Sequence, residues 1–373
     1  LLGRLQALGP VVMSDPRLPA LEARGLVFRV TWNGHEAWCE RRLFQRIHRY
    51  TVDRRRQQTV AVSLRAYWRF LCAWQHAAPG FRLQGPQGVQ AVIDQLAGYG
   101  IPLKAWEKNV LPQRVDGYRP EWLDQLMLSG QVVWGRLWGA GHCSLSALPV
   151  VMVPRSDLQQ WFSLLPPLER PPLSGYARVI DKILESRGAV FSDELRALSD
   201  LLPEHFESGL CELIVLGRVT ADSFAGLRQL LRPSSRRRGP LRSVGRWSLL
   251  GPHEGAEPEE AFVADQLLKR WGVLCRRVVL REKIPFSWRD ILKICRQWEW
   301  SGRVYGGRFV GGLSGEQFAL PEAVSLLRRV AREDLVQDLT VAAADPLNLD
   351  GILTNEAKIS PQSLMRVGVK NGS

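Results

Sequence analysis

Lysine is scarce in this chain: eight lysines stand beside 42 arginines among 373 residues. None of them follows a glycine, so a phosphate-binding loop ending Gly-Lys-Ser/Thr cannot be built here. The strings HExxH, GxSxG and GxGxxG are absent too, which removes the familiar zinc-protease, serine-hydrolase and dinucleotide-binding signatures. Six cysteines, at 39, 72, 143, 211, 275 and 295, form no CxxC pair and no Cys/His cluster with zinc spacing. They read as small buried hydrophobes in a reducing compartment, with no metal expected. No apolar run approaches the roughly 18 residues of a membrane span, and nothing at the start reads as a signal peptide.

What is present is a basic, globular composition. Hydrophobic residues make up 45% and charged residues 23%, ordinary values for a packed protein, while the net charge is +13 and the pI about 9.9. At about 150 residues per domain the length predicts two to three units. The chain opens on Leu1 and its first methionine is Met13, so a part of a longer protein is expected. The arginine excess makes nucleic acid a leading partner, because the guanidinium fork suits phosphate oxygens and guanine edges.

One pattern returns four times: an amphipathic helix, then glycine, then a short β-branched strand. It occurs around Gly25, Gly130, Gly217 and Gly302. A glycine in the left-handed conformation ends a helix and redirects the chain into a strand, as the last helix of a winged helix passes into its wing. The third copy predicts the whole unit: a helix over 174–187, a strand over 188–191, a helix capped by Ser192, a helix from Pro203 to Leu216, and a wing turn over 219–224. The expected fold class is mainly α with small β elements: tandem winged-helix units followed by a small terminal β element, part of a barrel. The expected divisions are 1–52, a partial winged helix and the start of a basic helix; 53–155, a helical segment with the second unit; 156–232, the third; 233–335, a basic linker and the fourth; and 336–373, the β element.

Four local expectations accompany this division. Residues 41–77 read as a long helical stretch rich in arginine and aromatics. Residues 233–242 have linker composition and 254–260 form a short acidic loop. Gly302 to Gly315 reads as a hairpin, with Val304–Tyr305 and Phe309–Val310 around a Gly-Gly turn.

Winged helices usually lay the last helix in the major groove and the wing on the backbone. In the third copy that helix carries Glu204, Glu207 and Glu212, and in the second Glu121, Asp124 and Gln125, so both read as spacers. The fourth differs: Arg289, Lys293 and Arg296 form one stripe over Ile291, Ile294, Cys295 and Trp298, with Arg303 and Arg308 in the wing. Arg42, Arg46 and Arg49 recur at helical spacing on a second basic surface, whose apolar side is Leu43, Ile47 and Tyr50. His48 reads as a packing or capping residue. These eight cations are the candidate nucleic-acid contacts, and most of the 14 tryptophans read as core anchors.

Specific strings then become informative. Trp38-Cys39-Glu40-Arg41-Arg42-Leu43, Phe70-Leu71-Cys72-Ala73-Trp74-Gln75-His76 and Leu123 through Gly130 resemble the bacterial large helicase-related (Lhr) family. So do Gly306-Gly307-Arg308-Phe309-Val310, Ser314 through Pro321, and Ala344-Asp345-Pro346-Leu347-Asn348-Leu349. The resemblance spans nearly the whole chain and implies the C-terminal region of a superfamily-2, 3′-to-5′ DNA repair helicase. In that reading ATP and Mg belong to a helicase core outside this segment, which itself binds no cofactor. Its implied partners are single-stranded or forked DNA, the helicase core and further copies of itself, with no membrane, in the cytoplasm and at the nucleoid. The C-terminal half of such proteins also resembles AlkZ-type winged-helix DNA glycosylases, which implies the alternative of excising a base such as uracil. The Gln-x-Gln or Gln-x-Asp motif of those enzymes has only Gln297-Trp298-Glu299 as its nearest counterpart. Asp345, at a turn after an apolar strand, is the candidate catalytic carboxylate. Glu299 and Asp222 read as solvated carboxylates.

Overall fold

The computed structural model describes the chain except residues 58–59, 139–142, 166–171, 233–244, 252–257, 334–338, 354–359, 361–365 and 369–373. Three units share one topology. Each has a helix, a short strand, one or more helices, a final helix, and two further strands. The final strand lies in the middle of the sheet, antiparallel to both neighbours. In the second unit the strands are Ile101–Pro102, Val132–Gly135 and Pro149–Pro154. In the third they are Val190–Phe191, Val219–Ala221 and Arg246–Leu249. The fourth repeats the order with Val273–Leu274, Tyr305–Gly307 and Gln317–Ala319. The first is a reduced version, in which Val11 bridges Trp38 beside the hairpin of Val27–Trp32 and His35–Glu40.

The four glycine junctions have one geometry. Gly25, Gly130, Gly217 and Gly302 all have φ between 64° and 77°. At each, the glycine N–H donates to the carbonyl three residues back, and the next N–H donates to the carbonyl five residues before it: Gly302 to Glu299 and Arg303 to Trp298, for instance. This paired bonding is the Schellman cap, and it satisfies carbonyls that the helix end leaves without partners.

Several local expectations change. Residues 41–77 form two helices, Arg41–Gln57 and Leu64–Trp74, because Val62 pairs with Val310 and the Ser63 hydroxyl caps the second helix by accepting the Ala66 N–H. The third unit extends past residue 232, since Arg246–Leu249 supplies its central strand and Trp247 its core. The whole linker-like segment, 233–242, and residues 254–257 of the 254–260 acidic loop lie outside the described residues. Ser192 is the first residue of its helix, and its hydroxyl accepts the Trp247 indole N–H at 2.7 Å. Gly306 and Gly307 are not a turn: they lie within a strand paired to Gln317–Ala319, while Phe309 and Val310 accompany Val62. The terminal β element is Thr340–Ala342 antiparallel to Arg366–Gly368, and no closed barrel is seen among the described residues.

Two large cores divide the molecule. One joins the second and third units through Trp106, Trp134, Phe206, Phe224 and Trp247, with Trp134 edge-on to both Phe224 and Trp247. Asp124 of the second unit accepts the Phe224 N–H and pairs with Arg228 at 2.7 Å, which fastens the third unit to it. The other core joins the fourth unit to the Leu64–Trp74 helix and the terminal element through Phe70, Trp271, Ile291, Cys295 and Leu347. Trp68 donates to the Leu347 carbonyl at 3.1 Å, and Tyr67 to that of Val273 at 2.8 Å.

Candidate nucleic-acid interface

The fourth unit's last helix, Trp288–Trp300, begins with a reciprocal cap. The Ser287 N–H donates to the Asp290 carboxylate at 2.8 Å, and the Asp290 N–H reaches the Ser287 hydroxyl at 3.4 Å. The Ser287 hydroxyl, at 2.6 Å, and its N–H both donate to the Asp290 carboxylate and hold that carboxyl below the usual range. Ile291 and Cys295 turn into the core, Ile294 and Trp298 are half-buried, and Arg289, Lys293 and Arg296 are exposed. The amphipathic spacing therefore sorts this helix as its sequence reads.

Electrostatics separate the five candidate cations of this unit, Arg289, Lys293, Arg296, Arg303 and Arg308. Arg296 pairs with Glu316 at 2.5 Å. Arg303 lies 3.9 Å from the Trp298 ring and pairs with Asp265. Of these five candidates, Arg289, Lys293 and Arg308 are exposed and have no ion-pair partner among the described residues.

The arginine helix Arg41–Gln57 lies against this unit, a placement that sequence spacing does not reveal. Phe28, Phe44, His48 and Trp300 form a run of ring contacts, ending with His48 stacked on Trp300 at 4.8 Å. The His48 Nε2–H donates to the Trp300 carbonyl at 2.7 Å, so His48 caps the end of the neighbouring helix. Arg42, Arg46 and Arg49 are exposed on the same helix. Leu43 and Ile47 are half-buried, whereas Tyr50 is 69% exposed; Phe44, His48 and Val52 take the inward row instead.

Glu299 pins the two helices together. It is only 7% exposed, accepts a two-point ion pair from Arg56, and takes the Gly306 N–H at 3.1 Å. A side chain at Gly306 would place its Cβ 2.2 Å from the Glu299 Oε1, which explains the glycine within that strand. The expectation of a solvated helix-end carboxylate is thus corrected. Glu316 accepts both Arg56, at 3.4 Å, and Arg296, which extends the network to the exposed face.

Asp345 lies in a buried ion pair rather than at a solvent-facing turn. Its two oxygens accept Arg114 Nη1 and Nη2 at 2.7 and 2.8 Å, and Oδ1 also accepts the Leu347 N–H. Arg114 is wholly buried and Asp345 is 1% exposed. The carboxylate fixes the terminal element against the second unit. Asp222 accepts the Arg246 N–H and side chain across the third unit's wing. Among the described residues no group of His, Cys, Asp and Glu could hold a metal.

In the third unit, Glu204 is exposed and Glu212 accepts the Ser174 N–H at 2.8 Å, a structural task. Asp124 is engaged by Arg228 of the third unit, and among the last helices of the second, third and fourth units the fourth's is the one with a basic exposed stripe.

Residues 62–155 and 253–339 each match the winged-helix domain of the large helicase-related protein. Both segments are large helicase-related winged-helix domains. The wider chain is similar to two curated Lhr proteins. It is 28% identical over 397 residues to the Escherichia coli K12 "Lhr helicase/uracil glycosylase", covering 92% of this chain and 25% of that protein. It is 31% identical over 357 residues to the Mycolicibacterium smegmatis "Lhr helicase/ probable uracil glycosylase", covering 84% of this chain and 22% of that one. The chain thus spans about a quarter of these Lhr relatives. Among solved structures, Streptomyces sahachiroi DNA glycosylase AlkZ aligns with a TM-score of 0.41 and 15% identity over 77% of each chain.

Proposed function

We propose that this chain is the DNA-holding region of an Lhr-type ATP-dependent helicase, with its ATP and Mg sites outside these 373 residues. The observation that carries this reading is the packing of the arginine helix against the fourth winged-helix unit. It sets Arg42, Arg46 and Arg49 on an element adjacent to Arg289, Lys293 and Arg308, although the two groups lie over 230 positions apart in sequence. Adjacent arrays of arginine suit a phosphate backbone, which fixes register and affinity rather than sequence preference. Filter or polarisation binding of single-stranded and forked DNA at several salt concentrations tests it. A salt-independent or undetectable affinity would defeat it.

The relatives' names support a second reading, excision of a base such as uracil. A glycosylase must stabilise positive charge on the sugar as the base leaves, usually after extruding the nucleotide. Incubating the chain with uracil-containing single-stranded DNA and assaying alkali-labile abasic sites tests this reading; intact strands after prolonged incubation would remove it.

A further inference from the structure

Two aromatic side chains on the packed basic helices stay in solvent. Trp300, the last residue of Trp288–Trp300, is 48% exposed, and Tyr50 on Arg41–Gln57 is 69% exposed. We propose that Trp300 and Tyr50 are base-stacking platforms on either side of the stripe of Arg42, Arg46 and Arg49. The surface then grips a strand by its bases as well as by its phosphates. The inference rests on the DNA-holding reading above and adds to it two side chains that touch bases, neither of them a cation.

Trp300 is held in place before any strand arrives. His48 stacks on one face of its ring at 4.8 Å and 14°, and Phe44 and Phe28 continue the row behind His48. The hydrogen bond from His48 to the Trp300 carbonyl, at 2.7 Å, locks that arrangement. An indole fixed in this way loses little freedom when a base lies on its other face. Trp298, two residues earlier, is unsuited to the task because Arg303 covers its ring at 3.9 Å. Helical periodicity places Tyr50. At about 100° per residue, Arg42, Arg46 and Arg49 fall between His48 and Tyr50 around the helix. An aromatic group thus borders each side of the arginine stripe, and Asp53 is the carboxylate that shares its arc. One exposed aromatic side chain on a surface is ordinary, but two flanking a single cationic stripe fit the alternation of base and phosphate along a strand. The guanidinium groups take the phosphates, and the rings take base faces that only an unpaired strand presents. Every base has such a face, so the contact is indifferent to sequence.

Polarisation binding of two labelled oligonucleotides of equal length tests the proposal on the 373-residue chain. One is a run of thymidines; the other keeps the same phosphates but carries an abasic tetrahydrofuran in place of each inner nucleoside. The parent chain should bind the thymidine strand about tenfold more tightly. Trp300→Ala and Tyr50→Ala should each cut that preference about threefold, and the double variant should abolish it. Trp300→Phe, which keeps a ring, should retain most of it. The ratio of the two affinities cancels any loss of charge contact or of folded protein that both strands share. Tyr50 is mostly solvated, so its variant reads the effect even where Trp300→Ala disturbs the His48 cap. Equal affinity of the parent for the two strands, or an undiminished preference in the folded double variant, overturns the proposal and leaves the DNA-holding reading intact. Absence of binding to either strand overturns both.

Discussion

Arg114 and Asp345, 231 positions apart, close a two-point ion pair that solvent barely reaches. Arg114 also donates to the Gln75 side chain at 3.1 Å, and Gln75 in turn donates to the Arg270 carbonyl. The second unit, the Leu64–Trp74 helix, the fourth unit and the terminal element are thereby tied at one point. Taking such a pair out of water is costly, so its presence argues for fixed geometry more than for net stability.

Breaking that pair should be severe. Asp345→Ala leaves a buried guanidinium without its partner and should cost about 3–5 kcal/mol in urea unfolding. Asp345→Leu with Arg114→Met should recover much of the loss. A chain in which Asp345→Asn abolishes base excision at unchanged stability would instead make Asp345 a catalytic group.

The capping glycines should differ in a predictable order. Gly25 and Gly302 have open space around the Cβ position, so alanine there pays only for left-handed backbone, about 1–2 kcal/mol. At Gly217 the added carbon would also stand 2.5 Å from the Arg136 carbonyl oxygen, a backbone atom. Gly217→Ala should therefore be the worst of the three by a further ~1–3 kcal/mol. Equal urea midpoints for all three would contradict the packing described.

Thiol chemistry should divide the cysteines. Burial pushes the Cys295 thiol up to about 12, with the Glu299 carboxylate adding to the effect. At pH 8 the folded chain should leave Cys295 unreactive toward a disulfide reagent, while half-buried Cys143 and Cys211 react first. Between the ordinary value of 9.0 and about 12 the unfolded thiol loses its proton and the folded one keeps it. The Cys295 contribution to stability is therefore present below pH 9 and falls as pH rises through that window. Rapid labelling of Cys295 in the native chain would contradict its burial.

Neutralising Arg289 and Lys293 should lower the slope of log K against log salt by about 1.4–1.8, from roughly 0.7–0.9 per phosphate contact. Arg296→Gln should do less, because Glu316 already engages that cation. Glu204→Gln with Glu207→Gln in the third unit should leave the slope nearly alone. Equal and opposite shifts from the basic and acidic pairs would mean a general charge effect.

The sequence by itself determined the four junctions, because a Schellman cap needs only a helix end, a glycine and bonds reaching five residues back. It also determined which faces of Trp288–Trp300 are apolar and basic, since helical periodicity is local. Tertiary structure alone decided the rest. Glu299 looks solvated in the string Gln297-Trp298-Glu299, yet Arg56 arrives from 243 positions away and Gly306 leaves room for its carboxylate. Gly306 and Gly307 look like a turn, yet cross-strand bonds to Gln317–Ala319 place them in a strand. Trp247 follows a linker-like segment but completes the third unit's sheet and core. Asp345 looks like an accessible turn carboxylate until Arg114 closes on it. In each case the deciding partner is distant along the chain, and only the packing of the units brings burial and opposite charge to the same place.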